Sequence, residues 1–226
     1  MKKFIVLGVL FILPIVAYMF FASGVNNFAK LPVLTEKIDD VKGLKSLSGE
    51  DISLSEKITV LGFLGSDVNK RKGNAFNLNQ KIYKRFNGFD DFQFVMVLPD
   101  RSEQNADSLK QELSSLANVN NWKFVFTTEF EVKKIFNSLN SSYTLDENLS
   151  SPYVFIIDKD KNLRGRDDND PEGVMYGYDA TSVAELNNKM IDDIKVILAE
   201  YRLELKKYKG VSKRDSYLKK YNKNEE

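Results

Sequence analysis

The chain has no cysteine and no histidine among its 226 residues. Without a thiol there is no disulfide, no thiolate nucleophile and no dithiol exchange. Without imidazole as well, the usual zinc and copper sites and every triad built on a histidine base are excluded. An excess of one charge is also missing: 33 basic residues face 32 acidic ones, a net charge of +1. Whole-molecule electrostatics therefore points to no nucleic-acid partner. The missing cysteines do not name a compartment, because disulfide-free proteins occur on both sides of a membrane.

Long hydrophobic runs are scarce, with one exception. Lys2 and Lys3 precede Phe4–Ala22, nineteen residues without a charge. That length can cross a bilayer core as a helix, and Pro14 is tolerated there. The two lysines favour a cytoplasmic N-terminus. Residues 1–24 then read as a single-pass signal-anchor, 25–30 as a spacer, and the remainder as lying outside the cytoplasm. A cleaved signal peptide is the alternative. Its apolar core would span about 7–15 residues, and Ala22-Ser23-Gly24 is a weak match to its cleavage site.

Past the spacer, roughly 195 residues are enough for one domain with its own core. Leu31–Lys57 alternates apolar and turn residues and predicts short strands, with Gly49 turning a hairpin that ends in Asp51–Leu54. Ile58–Leu64, Phe92–Leu98, Trp122–Phe126 and Tyr153–Asp158 are apolar runs, as strands covered on both faces require. Leu163–Arg166 follows as a fifth strand after the turn at Lys159–Asn162. Asn74–Phe86, Ser102–Leu116 and Glu129–Leu139 have helical spacing. Ser182-Val183-Ala184-Glu185 matches a capping box. It opens a stripe of Leu186, Met190, Ile194, Ile197, Leu198, Tyr201, Leu205 and Tyr208, ended by Gly210. Strands alternating with helices predict an α/β layer structure. The closing ββα unit predicts a thioredoxin-like fold over 31–209, with an N-terminal β-hairpin extension and a basic tail at 210–226.

Three stretches carry a family resemblance. Ser151-Pro152-Tyr153-Val154-Phe155-Ile156-Ile157-Asp158 is similar to the proline-led strand of thioredoxin-like proteins, which implies a cis peptide at Pro152. Val97-Leu98-Pro99-Asp100-Arg101 followed by Ala106–Lys110 resembles the "VDPxRDTPxxLK" stretch of the SCO/SenC family. Asn121–Thr127 followed by Glu131–Lys134 resembles that family's "W-x-x-L-T-G" strand and the helix after it. Leu31-Pro32 and Gly49 sit where the family has "LPxFxLxdxxG".

Members of the family are held by one N-terminal helix and bind copper through a C-x-x-x-C pair and a downstream histidine. They are linked to assembling the copper centre of cytochrome oxidase and to thiol redox work. The resemblance places Asp67 and Arg71 at the two cysteine positions and Ser150 at the histidine position. This sequence thus departs from the family at all three ligands. Cu(I) prefers thiolate, thioether or imidazole, and the scattered Met96, Met175 and Met190 read as core filler. The expectation is a protein with no enzymatic activity and no cofactor. Its role would be binding or assembly, with a respiratory oxidase or its assembly factors as partner.

Other features are weighed against bland readings. Asp67 and Arg71, four apart, form a surface ion pair or remain solvated. Lys70, Arg71 and Lys72 ahead of a helix N-terminus attract an anion or are simple turn charges. Asp158-x-Asp160-x-Asn162 begins like a calcium loop, but Leu163 and Asn169 replace the required Gly and Glu. A β-turn fits it better. Asp167-Asp168-Asn169-Asp170 is a denser acidic cluster. An oxygen-ligand, calcium-type site or enzyme over 158–170 is one alternative function, and a structural envelope protein is another. The lysine-rich tail with Tyr208, Tyr217 and Tyr221 suits anionic lipid or is solubilising.

Overall fold

The structure is a computed structural model that describes residues 2–22 and 30–202, apart from 170 and 172. The centre of the fold is a run of strands whose side chains are buried on both faces. Strand β1 is Val33–Thr35, β2 Lys45–Ser46, β3 Ile58–Leu64, β4 Phe92–Pro99 and β5 Trp122–Thr127. Strand β6 is Ser150–Ile157, β7 Leu163–Arg164, β8 Arg166–Asn169, β9 Gly173–Met175 and β10 Tyr178–Asp179. The main sheet runs β1-β7-β6-β3-β4-β5-β2, with β10 also pairing with β6, at Tyr153 and Val154, and β8-β9 forming a separate ribbon. Strands β3, β4 and β5 are parallel, while β6 is antiparallel to β3.

Parallel neighbours need crossover helices. Here they are Val68–Leu78, which continues through a π turn at Asn79–Tyr83 to Phe86, and Glu103–Ser114. Glu129–Ser138 follows β5, and its N-cap Thr128 accepts a bond from the N–H of Glu131. Alternation along each strand divides the core in two. Val60, Phe94, Trp122 and Ile156 face the first two helices and the last one. Leu61, Phe63, Val95, Phe155 and Ile157 face Glu129–Ser138 and the loop carrying Ile38, Val41 and Leu54. The last helix starts at Val183 and is helical through 202. Ser182 Oγ accepts from the Glu185 N–H, whereas Glu185 Oε1 reaches back to the Asp179 N–H at 2.6 Å rather than to the Ser182 N–H. Leu186, Met190, Ile194 and Ile197 are fully buried, as the stripe predicts. Leu205, Tyr208, Gly210 and the basic tail lie outside the described residues.

Several expectations are corrected. The N-terminal hairpin does not form. Strand β1 pairs with β7 at one edge and β2 with β5 at the other. Residues 51–54 stay irregular, tied by side-chain bonds that include one to the Leu54 N–H. The Asp40 carboxylate accepts from the N–H groups of Val41 and Leu54, and Asp51 accepts from Gly43. Such local bonds compete with a ladder. Gly49 does turn the chain, at a φ of 75°, and its N–H bonds Ser46 O. The first helix begins at Val68 rather than Asn74, because its polar opening turns hide its start. Pro152 lies inside β6, where the β3 pairing shifts register between Gly62 and Leu64. An irregular ladder accommodates a residue with no N–H. The fifth strand is broken at Gly165 into β7 and β8.

The backbone of Lys2–Ala22 is one helix with Pro14 inside it. Only part of its side chains is described, and the large apolar ones between Leu10 and Met19 are all exposed. Among the described residues, no helix is long and apolar enough to cross a membrane. The expected transmembrane segment is therefore not shown by the structure.

Candidate functional site

The turn after β3 sets up the site. Gly65 has a φ of 72°, a conformation that suits glycine. A Cβ there would come within 2.3 Å of Asn148 O and 2.8 Å of Ser150 Cβ. The 146–149 loop thus lies flat on Gly65, and the Ser66 N–H donates to Asn148 O at 2.9 Å. The helix that follows points Arg71 at this loop.

Arg71 Nε donates to Ser150 Oγ at 2.8 Å, and Arg71 Nη2 to Asp146 Oδ2 at 3.2 Å. The Ser150 hydroxyl donates to Asp146 Oδ2 at 2.9 Å. Lys70 Nζ reaches the same oxygen at 3.1 Å. Asp146 Oδ1 is occupied by the N–H groups of Asn148 and Ser150, at 3.0 and 2.9 Å. The loop closes on itself through Asp146 N–H to Ser150 O and Leu149 N–H to Asp146 O. Leu149 is held at a φ of 62°, a costly conformation for leucine that this network maintains.

Burial pushes the Asp146 carboxyl up. The Ser150 amide and hydroxyl, Lys70 and the Asn148 amide more than offset it and hold the group well below the usual carboxylate range. A serine hydroxyl donating to a carboxylate resembles a nucleophile and its base, but a carboxylate pinned ionised by two cations is a poor base near neutral pH.

Of the residues picked out from the sequence, the structure brings Arg71 and Ser150 together. Asp67 stands apart: it is exposed at the N-cap, makes no cap bond and forms no ion pair with Arg71. The three consecutive cations are not a vacant anion site, because Lys70 and Arg71 bind Asp146 and Lys72 binds Glu112 at 2.7 Å. Asp146 was missed. Its signal is Asp-x-Asn in a short loop, a pattern that side-chain-capped turns favour.

Copper, which the family resemblance implies, does not fit these residues. The two ligand positions that meet, Arg71 and Ser150, offer a guanidinium and a hydroxyl already bonded to each other, with Lys70 alongside. They supply fixed positive charge and no soft donor.

The acidic region behaves as a turn. Asp158 Oδ1 accepts from the N–H groups of Asp160 and Asn162, and Oδ2 accepts from Asn162 Nδ2 and Arg164 Nη1. Its acceptors are spent on the chain itself. Asp167 and Asp168 are exposed on β8, and Asp170 lies outside the described residues. Among the described residues, no group of three or more acidic, Cys or His side chains is placed to hold a metal ion. No described hydrogen bond joins Asp167 or Asp168 to the Asp146 cluster. Beside Pro152, Tyr153 stacks on Tyr143 with ring centroids 3.9 Å apart, and Tyr176 meets Tyr143 edge-on.

No protein-family model matches the chain, and no curated protein matches its sequence. Solved structures do match. A candidate protein disulfide isomerase from Bacteroides thetaiotaomicron is 13% identical with a TM-score of 0.51, covering 78% of this chain and 98% of its own. BsSco, a member of the Sco family of cytochrome c oxidase assembly proteins, is 11% identical with a TM-score of 0.51, covering 74% and 95%. At these identities the likeness is one of fold, and the fold is a thioredoxin-like α/β fold.

Proposed function

We propose that this chain is a membrane-anchored, periplasmic relative of the SCO/SenC proteins that works by binding, without copper, thiol chemistry or enzymatic turnover. Its partner would be a respiratory oxidase or a factor that assembles one. The observation that carries this reading is the Arg71–Ser150–Asp146 network. At the turn where the resemblance expects ligands, two of the three positions are bonded to each other and fixed by a carboxylate. The fold likeness to BsSco, itself from a family of cytochrome c oxidase assembly proteins, supports the choice of partner. The charge-free run Phe4–Ala22 behind Lys2 and Lys3 supports the anchor and its orientation.

The test is purification of the full chain from its native membranes in mild detergent, with quantification of co-purifying proteins. Enrichment of oxidase subunits or assembly factors, reduced when Arg71 is replaced by alanine, is the expected result. If neither class is ever enriched, the partner reading fails and a purely structural envelope role takes its place.

A further inference from the structure

The two ends of the domain leave it from one place. The Leu31 N–H donates to Glu200 Oε1 at 2.8 Å, and Leu31 O accepts from Arg164 Nε at 2.8 Å. Arg164 also donates to Glu200 Oε2 at 2.7 Å and to Asp158 Oδ2 at 3.1 Å. The side chains of Arg164, Asp158 and Glu200 are only 7%, 2% and 11% exposed. This clasp fastens the point where the N-terminal segment joins the domain to the last helix, two residues before 202. The start of the domain at Leu31 and the end of its last described helix therefore lie side by side.

That face is the end of the sheet where β3 begins and β6 finishes. Ile58, Phe89, Lys159, Tyr201 and Arg202 line an open cavity of about 550 Å³ there. Lys30, Phe89 and Arg202 are exposed on it. It also carries two acids, Asp91, engaged by both Lys57 and Lys159, and the exposed Asp90. The Arg71 cluster sits beyond the other end of β3, past Leu64. Seven strand residues put these two ends about 20 Å apart.

Charge separates the same way. Residues 203–226 hold eight basic and four acidic residues, with Tyr208, Tyr217 and Tyr221 among them, whereas 31–202 hold 22 basic and 28 acidic. An acidic domain is repelled by an anionic surface, and a basic segment is attracted to it within about a Debye length. The spacer 23–30 reaches at most about 28 Å, so an anchored chain starts its tail within that distance of the lipid.

We infer that residues 203–226 bind the anionic phospholipid surface and so hold the Arg71 end of the domain facing away from the membrane. This rests on the anchored reading above.

The absence of native cysteine makes single labels unambiguous. Ser216→Cys in the tail and Asn69→Cys beside Arg71 are each labelled with an environment-sensitive dye on the full chain. The chain is reconstituted with phosphatidylcholine vesicles, with or without phosphatidylglycerol, carrying a headgroup nitroxide quencher. The Ser216 label is expected to be quenched only with phosphatidylglycerol, and less so in high salt. The Asn69 label is expected to stay unquenched throughout. Replacing the eight tail Lys and Arg residues by Gln should weaken the tail contact at least about tenfold. Equal quenching with and without phosphatidylglycerol, or no effect of the Gln variant, overturns the inference. A change in the Ser216 label without vesicles that salt reverses also overturns it, in favour of docking on the acidic domain. Quenching of the Asn69 label overturns the orientation. Flotation separates the two readings. A chain that does not float with neutral vesicles has no anchor, yet flotation with phosphatidylglycerol that the Gln variant loses still supports the tail. No flotation with either overturns both.

Discussion

Replacing Asp146 by alanine removes one acceptor group from five donors at once. Two are backbone N–H groups, of Asn148 and Ser150, one is the Ser150 hydroxyl, and two are the cations Lys70 and Arg71. The contributions are unequal. Lys70 is half exposed, so its pair is worth about 0–1 kcal/mol. Arg71 is 16% exposed, and a bond from it to an ionised acceptor is worth about 1.5–3 kcal/mol. The two amides and the hydroxyl return partly to water when the loop opens, which recovers some of what they lose. Asp146→Ala should therefore destabilise by about 3–4 kcal/mol in total. Asp146→Asn keeps an oxygen for the two amides but loses the charge and puts an NH2 where Oδ2 accepted from Arg71, Lys70 and the Ser150 hydroxyl, for about 2 kcal/mol.

The pH dependence separates the charge from the shape. The folded Asp146 carboxyl titrates below its ordinary range, whereas in the unfolded chain it returns to about 3.9. Its contribution is complete above the unfolded value and is lost as pH falls below about 4. Urea unfolding of the full chain in detergent, followed by circular dichroism, reads both effects. The wild-type advantage over Asp146→Asn should hold from pH 7 to about pH 5 and shrink towards pH 3. Alanine and asparagine variants that agree within about 0.5 kcal/mol would refute the assignment of loop closure to the Asp146 oxygens. A gap that does not change with pH would refute the charge argument.

Gly65→Ala should cost at least about 2 kcal/mol, since alanine meets both a positive φ and the Asn148 carbonyl, and a thermal melt would show it. Arg164→Met leaves Asp158 and Glu200 buried without their shared cation and should cost about 3–5 kcal/mol in urea. Tyr178 is buried against Asp193, to which its hydroxyl donates at 2.7 Å, and burial and that carboxylate push its pKa well up. The neutral form is stabilising, so this contribution is full below about pH 10 and lost as pH rises beyond it. Alkaline titration at 295 nm should show Tyr178 ionising only together with unfolding, and Tyr178→Phe should lower the amplitude of the late step by one tyrosine.

The parts of the fold legible in the sequence are those where one signal dominates. Ile58–Leu64, Phe92–Pro99 and Trp122–Thr127 are buried on both faces, so an apolar run marks each nearly to the residue. The stripe from Leu186 is legible because only one helical face can bury it. Where side chains and backbone compete, pattern misleads. Ile52 and Leu54 alternate as a strand would and are buried, yet Asp40 takes the Leu54 N–H and leaves a loop. The start at Val68 is hidden because an opening turn of Asn, Lys, Arg and Lys has no apolar period to read.

The site divides along the same line. Arg71 and Ser150 are legible through the family resemblance, which carries positions but says nothing of partners. The partner, Asp146, acts through a loop whose geometry depends on its own residues and on Gly65, far away in sequence. Gly65 leaves room for the Asn148 carbonyl, Leu149 takes a positive φ, and Asp146 closes the turn by accepting from Asn148 and Ser150. Asp-x-Asn hints at the turn, but neither Gly65 nor Leu149 has a distinctive sequence context. Their agreement matters for function, because positive-φ leucine is a cost that a vacant turn would have no reason to carry. A turn that had only lost its ligands would be free to relax towards ordinary backbone and solvated charges. This one instead fixes Arg71 in a single direction at the end of the sheet opposite the clasp of Leu31, Arg164 and Glu200. A fixed shape there is what the binding role proposed above would require.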